Sequence, residues 1–371
     1  MKLMVSAGEV SGDLHASRVL KELKVRRPNV EAFGMGGEFL SEAGCDLLYD
    51  VTRSSVMGIG EVIFAVPHFL RLLSKLKSAL EDRRPHLLML VDFPDFNVRL
   101  AAHAHKLGIP TLYYIPPKAW AWRVGRARKL AERVDLIASI FPFETKLYRK
   151  AGAEVVFVGH PILDIARSDL SKTEAREKFG LNLEDPVVGL MPGSRCKEVE
   201  RLYPIMYQAA AIISARIPNL EYILPLAPSI PEEMIEPRFK GLKLVKDDVY
   251  DVMRACDLLI LASGTATLEA ACMLTPMIII YKVSLSTWAV ARSLARIKRS
   301  GLPNIIAGRE VVPEYLQWQA TPERIARKAV EMLKDRSKLQ RQTELLRQVR
   351  SSLGPPGAPA RVAELICEMV G

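Results

Sequence analysis

Short apolar runs, closed by glycine, proline or small polar residues, alternate along this chain with longer stretches of helical spacing. In the first half, residues 2–6, 31–33, 87–92, 111–115, 136–140 and 155–158 read as strands. Helices fit residues 14–26, 67–82, 98–107, 123–133 and 143–150. Strands separated by helices imply an α/β fold with a parallel, doubly wound sheet. The pattern restarts at residue 187, with a strand over 187–191, a turn at 192–195 and a helix over 198–217. Further strands are expected near 222–225, 242–245, 258–261 and 277–281, and the polar stretch 161–186 reads as the linker. Two α/β halves, 1–165 and 166–350, are therefore expected to face each other across a cleft. The segment 351–371 opens with Gly354-Pro355-Pro356-Gly357 before a short helix. It is expected to leave the second half and cross back to the first, or to a partner chain.

Composition narrows the partners. At 371 residues the chain is too long for one ordinary core, and 49% hydrophobic with 25% charged residues is a normal globular balance. The 52 basic against 42 acidic residues give a net charge of +10, which favours an anionic partner: nucleic acid, an anionic membrane surface or phosphorylated substrates. Five scattered cysteines without a C-x-x-C pair point to a reducing compartment and away from structural zinc, and no histidine cluster has metal-ligand spacing. The first residues reach Gly8 too soon for a signal-peptide core, and no apolar run reaches membrane-spanning length, so a cytoplasmic location is expected.

The run SGTATLEA, beginning at Ser263, follows an apolar strand and opens a helix. Gly264 lets a ligand approach the backbone, Thr265 and Thr267 cap or donate, and a helix N-terminus offers free N–H groups to an anion. Glu269, one turn in, suits the two hydroxyls of a ribose. A second turn of this kind, Gly193-Ser194-Arg195 after Pro192, adds a guanidinium for a phosphate. Asn304 and Arg309, in an irregular polar stretch, line the cleft or stitch a loop. In the first half, Glu9 and Ser11 lie in a glycine-flanked turn at the end of the first strand, suited to sugar hydroxyls, with Asp13 capping the helix. Asp92 and Asp95 end another strand near the same edge. One is a candidate general base and the other an N-cap for a helix from Val98, and Asp92, directly at the strand end, is the better base. Trp120 and Trp122, in YYIPPKAWAW, offer apolar faces to acyl chains or sugar rings.

Two stretches are amphipathic. Val66, Phe69, Leu73 and Leu76 belong to one apolar face, with Arg71 and Lys75 opposite. Trp288 lies among Arg292, Arg296, Lys298 and Arg299 in the other. Basic helices with apolar faces suit an anionic membrane surface, although covering a sheet makes the same demand.

In this order the motifs resemble the lipid-A-disaccharide synthase family of Gram-negative bacteria. The likeness covers residues 7–13, 56–62, 92–97, 114–122, 142–144, 157–161, 192–195, 263–269, 276–282 and 302–313, the last reading, with Glu314 added, LPNIIAGREVVPE. Val10 stands where the family often has Ala, and Pro116 where it often has Ser. The resemblance implies two Rossmann-like doubly wound parallel-sheet domains of the glycosyltransferase B type, with the C-terminal tail crossing back. It implies an inverting transfer from UDP-2,3-diacylglucosamine to 2,3-diacylglucosamine 1-phosphate, giving a β-1′,6 disaccharide 1-phosphate and UDP. It also implies a peripheral enzyme on the cytoplasmic face of the inner membrane. Under it, Asp92 is the base, Glu9 and Ser11 position the sugars, and the helix N-terminus at Ser263–Thr267, Arg195 and Arg309 stabilise the departing UDP. Glu269 holds the ribose, Asn304 reaches the diphosphate or uracil side, and Arg292, Arg296 and Arg299 meet the membrane or the acceptor phosphate. No cofactor or divalent metal is expected, nor a nucleic-acid partner, and a swapped tail would make a homodimer. A UDP-sugar 2-epimerase of the same fold is the alternative.

Overall fold

A computed structural model describes residues 1–51, 62–117, 125–239, 241–284, 288 and 299–371. The chain forms two compact units: Met1–Pro161 together with Leu353–Gly371, and Ile162–Ser352.

The first unit is built on seven parallel strands: β1 (Lys2–Ala7), β2 (Glu31–Gly36), β3 (Cys45–Asp50), β4 (Leu87–Val91), β5 (Thr111–Tyr114), β6 (Leu136–Ser139) and β7 (Val155–Phe157). Their order is β3-β2-β1-β4-β5-β6-β7. The central strands are apolar on both faces because helices cover both. On one face, Leu73, Leu76 and Leu80 of helix Val62–Arg83 and Phe96 and Leu100 of helix Pro94–Lys106 pack on Met4, Leu88 and Leu90. Helix Val10–Arg26 packs against helix Ala358–Val370, so the C-terminal tail is part of this unit. Arg361 fastens it, donating from Nε to the Val158 carbonyl at 2.8 Å and from its terminal nitrogens to the carbonyls of Pro355 and Pro356. Strand β3 was not expected. It is a half-exposed edge strand whose sequence, CDLLYD, mixes acids into the apolar run, so periodicity does not reveal it.

The second unit has six parallel strands: β8 (Val187–Met191), β9 (Glu221–Leu226), β10 (Leu242–Lys246), β11 (Leu258–Ala262), β12 (Met277–Tyr281) and β13 (Glu314–Leu316), in the order β10-β9-β8-β11-β12-β13. Helices Cys196–Ser214 and Pro322–Lys334 cover one face, and Ala266–Cys272, Leu302–Ala307 and Arg336–Ser352 pack together on the other. The stretch read as irregular from Leu302 contains a short helix, with Pro303 in its first turn and Gly308 in the left-handed conformation after its end (φ 68°).

Both sheets share one consequence of strand order. The chain leaves β1 toward β2 on one side, while β4 pairs with β1 on the other; β8 stands in the same relation to β9 and β11. At such a reversal the loops beyond the strand ends diverge and leave a crevice, which is where open α/β sheets bind ligands. Glu9 and Asp92 follow β1 and β4, and Arg195 and Ser263 follow β8 and β11.

Candidate active site

In the first unit, Ala7 of β1 is in register with Val91 of β4, so the loops carrying Glu9 and Asp92 leave neighbouring strands. Glu9 is the extended N-cap of helix Val10–Arg26, and Ser11 follows in the first turn; both are exposed. Gly8 has no room for a side chain, because a Cβ there would strike the Phe93 ring. Asp92 (φ 48°) and Phe93 (φ 46°) are both left-handed, a conformation that non-glycine residues adopt only when the surroundings hold them in it. The restraint is visible. Buried Asn97 donates from Nδ2 to the Asp92 carbonyl at 2.8 Å and to those of Ser6 and Val91 at 3.2 Å. Its Oδ1 accepts from the Ser6 hydroxyl at 2.7 Å, and the Tyr113 hydroxyl donates to the Asp92 carbonyl at 2.5 Å. Burial, then the nearby Asp92, holds the Tyr113 phenol well above its ordinary pKa, so it remains a donor.

Two expected caps are corrected. The helix after Asp92 begins at Pro94, not Val98, which leaves Asp95 exposed in its first turn. Asp13 does not cap its own helix. Its carboxylate accepts from the amides of Gly37 (2.7 Å), Phe39 (3.0 Å) and Leu40 (3.2 Å) and holds the start of helix Glu38–Glu42.

Beside Glu9 lies an apolar cavity of about 380 Å³, walled chiefly by Met35, Val51, Phe69, Leu72, Phe93 and Phe96. Tyr49 and His68, joined by a 2.7 Å hydrogen bond, stand at its side. Phe69, expected at a membrane, lines this cavity edge-on to Phe96 (5.1 Å). Leu73 and Leu76 are corrected: they are buried in the core and reach no outer surface, because their stripe is the one that covers the sheet. Val66 lies in the same helix, with its side chain outside the described part, and Trp120, Trp122, Arg292 and Arg296 lie outside the described residues.

In the second unit the SGTATLEA turn divides its labour. Thr267 is buried and donates to the Gly264 carbonyl at 2.7 Å, and the Ser263 hydroxyl pairs with that of Ser300 at 2.6 Å. These side chains hold the turn, with Thr267 acting as a donor within it. What remains open is the backbone. Among the described residues, the amides of Gly264, Thr265 and Ala266 make no hydrogen bond and nothing lies within 4 Å of where a Gly264 side chain would stand. Thr265 is exposed with its hydroxyl unengaged among the described residues. One turn on, Glu269 accepts no hydrogen bond among the described residues, and burial raises its pKa.

The Gly193-Ser194-Arg195 turn differs from expectation, because it already holds an anion of its own. Glu198 accepts from the Ser194 amide at 3.3 Å, pairs with the Arg195 guanidinium at 3.2 Å and fills the space where a Gly193 side chain would stand, at a φ of 122° that L side chains rarely adopt. Arg195 is otherwise exposed. Asn304 is a further correction. It is buried, its Nδ2 donates to the Val312 carbonyl and to Glu314, and its Oδ1 accepts from the amides of Val311 (2.6 Å) and Val312 (2.9 Å). With both ends of the amide engaged, it shapes the loop and reaches no nucleotide. Arg309 lies beyond the far end of helix Leu302–Ala307 and donates to Gln348 at 3.4 Å, drawn to helix Arg336–Ser352 instead of the Ser263 turn. Trp288 is half-buried and edge-on to Trp318 (6.0 Å), while Arg299 is half-buried.

Sequence reasoning missed Asn97 and Tyr113, whose contacts fix Asp92, and His15. His15 lies one helical turn beyond Ser11, edge-on to Tyr114 at 6.5 Å. Burial, reinforced by Arg18, lowers its pKa to about 4, so the ring is neutral at pH 7. The i, i+4 spacing from Ser11 was the signal available for it. Among the described residues, no cluster of three or more His, Cys, Asp or Glu is placed to hold a metal, and no helix is long and apolar enough to cross a membrane.

Comparison with known proteins agrees in fold and goes beyond it in sequence. The fold is shared with a UDP-N-acetylglucosamine 2-epimerase from Listeria monocytogenes (TM-score 0.65, 13% identity, covering 99% of this chain and 94% of that one). It is shared also with the calicheamicin glycosyltransferase CalG4 (TM-score 0.64, 14% identity, 100% and 98%). At these identities the likeness is one of architecture, the glycosyltransferase B arrangement of two parallel-sheet α/β domains. The lipid-A-disaccharide synthase of Anaeromyxobacter sp. (strain K) is 45% identical over 98% of this chain and 96% of its own length. The family model described as Lipid-A-disaccharide synthetase matches residues 3–360. A UDP-sugar-dependent glycosyltransferase by these criteria, the chain belongs to the lipid-A-disaccharide synthase family.

Proposed function

We propose that the protein transfers the diacylglucosaminyl group of UDP-2,3-diacylglucosamine to the 6-hydroxyl of 2,3-diacylglucosamine 1-phosphate, with inversion. UDP and a β-1′,6-linked disaccharide 1-phosphate are the products. The observation that carries the acylated substrates is the apolar cavity beside Glu9, about 380 Å³ bounded by Met35, Phe69, Leu72, Phe93 and Phe96. An epimerase acting on a soluble sugar nucleotide has no use for such a cavity.

In this reading Asp92 removes the proton of the acceptor hydroxyl as that oxygen attacks the anomeric carbon, and the bond to the UDP oxygen breaks on the opposite side. The left-handed backbone held by Asn97 and Tyr113 sets the carboxylate at the strand end, and Glu9 and Ser11 hydrogen-bond the sugar hydroxyls. The departing UDP gains negative charge, which the free amides of Gly264, Thr265 and Ala266 offset. Arg195 joins them once a phosphate competes with Glu198 for its guanidinium. Glu269 accepts from the two ribose hydroxyls. The net charge of +10 suits work at an anionic membrane surface, at the cytoplasmic face.

Asp92→Asn separates chemistry from binding. Turnover should fall by about 10²–10⁴-fold, the range set by loss of a general base, while UDP affinity measured by calorimetry stays within about twofold. Turnover like that of the parent chain would remove Asp92 as the base.

A further inference from the structure

A cavity of about 490 Å³ in the second unit shares no residue with the Gly193 and Ser263 turns; Arg201, Lys282, Val283, Ser284, Gln317 and Trp318 line it. Its frame is rigid. Gln317, only 3% exposed and left-handed (φ 51°), accepts from the Val283 amide at 2.7 Å through Oε1 and donates from Nε2 to the Val283 carbonyl at 3.0 Å. This pair of bonds ties the segment leaving β12 to the segment leaving β13. It leaves the next residue, Trp318, standing 61% exposed as one wall.

The charges set the cavity apart. In another cavity of this unit, the lining cations Lys172 and Arg347 meet the carboxylates of Asp257 and Glu344. Among the described residues, Arg201 and Lys282 make no ion pair or hydrogen bond and no carboxylate lines the cavity. Two unneutralised cations in one concave site repel each other, and a dianion relieves that repulsion while accepting charge-assisted hydrogen bonds from both. The guanidinium supplies a planar fork and the ammonium a point charge, the pairing that a tetrahedral phosphate accepts. A flat indole beside them covers an apolar face of whatever bears the phosphate.

We propose that this cavity holds a phosphate monoester, with Arg201 and Lys282 on the phosphate oxygens and Trp318 against the group that carries it. The chemistry is the same whether the phosphate sits on a soluble sugar or on a lipid at a membrane surface. The acceptor of the proposed transfer is itself a sugar 1-phosphate, so for a sugar-borne phosphate the proposal rests on the glycosyl-transfer reading, and direct binding tests the cavity separately from turnover.

The test uses the full chain and two probes. Glucosamine 1-phosphate is titrated by calorimetry, with glucosamine as the neutral control, and phosphatidylcholine vesicles with and without phosphatidic acid are used for co-sedimentation. The variants are Arg201→Gln, Lys282→Gln, Trp318→Ala and Arg341→Gln, the last removing an exposed charge elsewhere. Circular dichroism confirms that each is folded. The expected result is that Arg201→Gln and Lys282→Gln each weaken binding about tenfold and Trp318→Ala weakens it less, with Arg341→Gln unchanged. Weakening with glucosamine 1-phosphate identifies a soluble phosphate, and weakening confined to phosphatidic acid vesicles identifies a lipid-borne one; either supports the site. No change with either probe, or an equal loss in Arg341→Gln, would overturn it.

Discussion

Glu269 is a carboxylate held largely out of water with no hydrogen-bond donor supplied by the described part of the protein, an arrangement that favours its protonated form in the folded state. Its folded pKa lies above the unfolded one. The group therefore brings no penalty at pH values below the unfolded pKa, and it destabilises the ligand-free protein increasingly as pH rises through the folded one. Glu269→Gln should consequently raise the melting temperature more at pH 7.5 than at pH 4, while weakening UDP by about 10- to 100-fold, the scale of hydrogen bonds to a charged group. A melting difference independent of pH would contradict the desolvated carboxylate. The glycine, threonine and glutamate spacing of this turn was legible because free amides and an acid one turn on are local features. The roles of Thr267 and Asn304 were not. A polar side chain in a site loop either meets the ligand or holds the loop, and the difference lies in contacts visible only in three dimensions, the Gly264 carbonyl accepting from Thr267 and the Val311 amide donating to Asn304. Asn97, at the end of the 92–97 stretch, had no legible role for the converse reason, since the backbone it restrains is strained only in three dimensions.

Helix Val62–Arg83 shows the same limit at the scale of an element. Its apolar stripe was legible, but the surface it meets was not: Leu76 and Leu80 cover the sheet, while Phe69 and Leu72 line the cavity beside Glu9. Leu76→Ala should therefore destabilise the protein by about 2–5 kcal/mol, as deletion of a fully buried leucine does, with vesicle co-sedimentation of the folded fraction unchanged. Chemical denaturation gives the first number, and loss of sedimentation without loss of stability would return Leu76 to a membrane surface. The central strands were legible because both faces are covered and their runs are continuously apolar. The edge strands β3 and β13 escaped notice because they are half-exposed and only partly apolar.

Across the whole molecule, the tail is structural. Leu353, Val362 and Ile366 are fully buried in the first unit. At about 1.5–3 kcal/mol for each buried aliphatic side chain, their loss is comparable with the roughly 5–15 kcal/mol that keeps a domain folded. A chain ending at Ser352 should lose the cooperative transition of the first unit and yield proteolytic fragments from residues 1–161, with 162–352 protected; protection of both would contradict the packing of the tail helix on helix Val10–Arg26. The family and the two-sheet architecture follow from sequence and fold together, and the acylated substrates rest on the cavity beside Glu9. The most direct test is mass spectrometry of the products formed from UDP-2,3-diacylglucosamine and 2,3-diacylglucosamine 1-phosphate, in detergent with EDTA. The predicted result is disaccharide 1-phosphate with an equal amount of UDP. No disaccharide from the folded protein, together with epimerisation of UDP-N-acetylglucosamine, would contradict it.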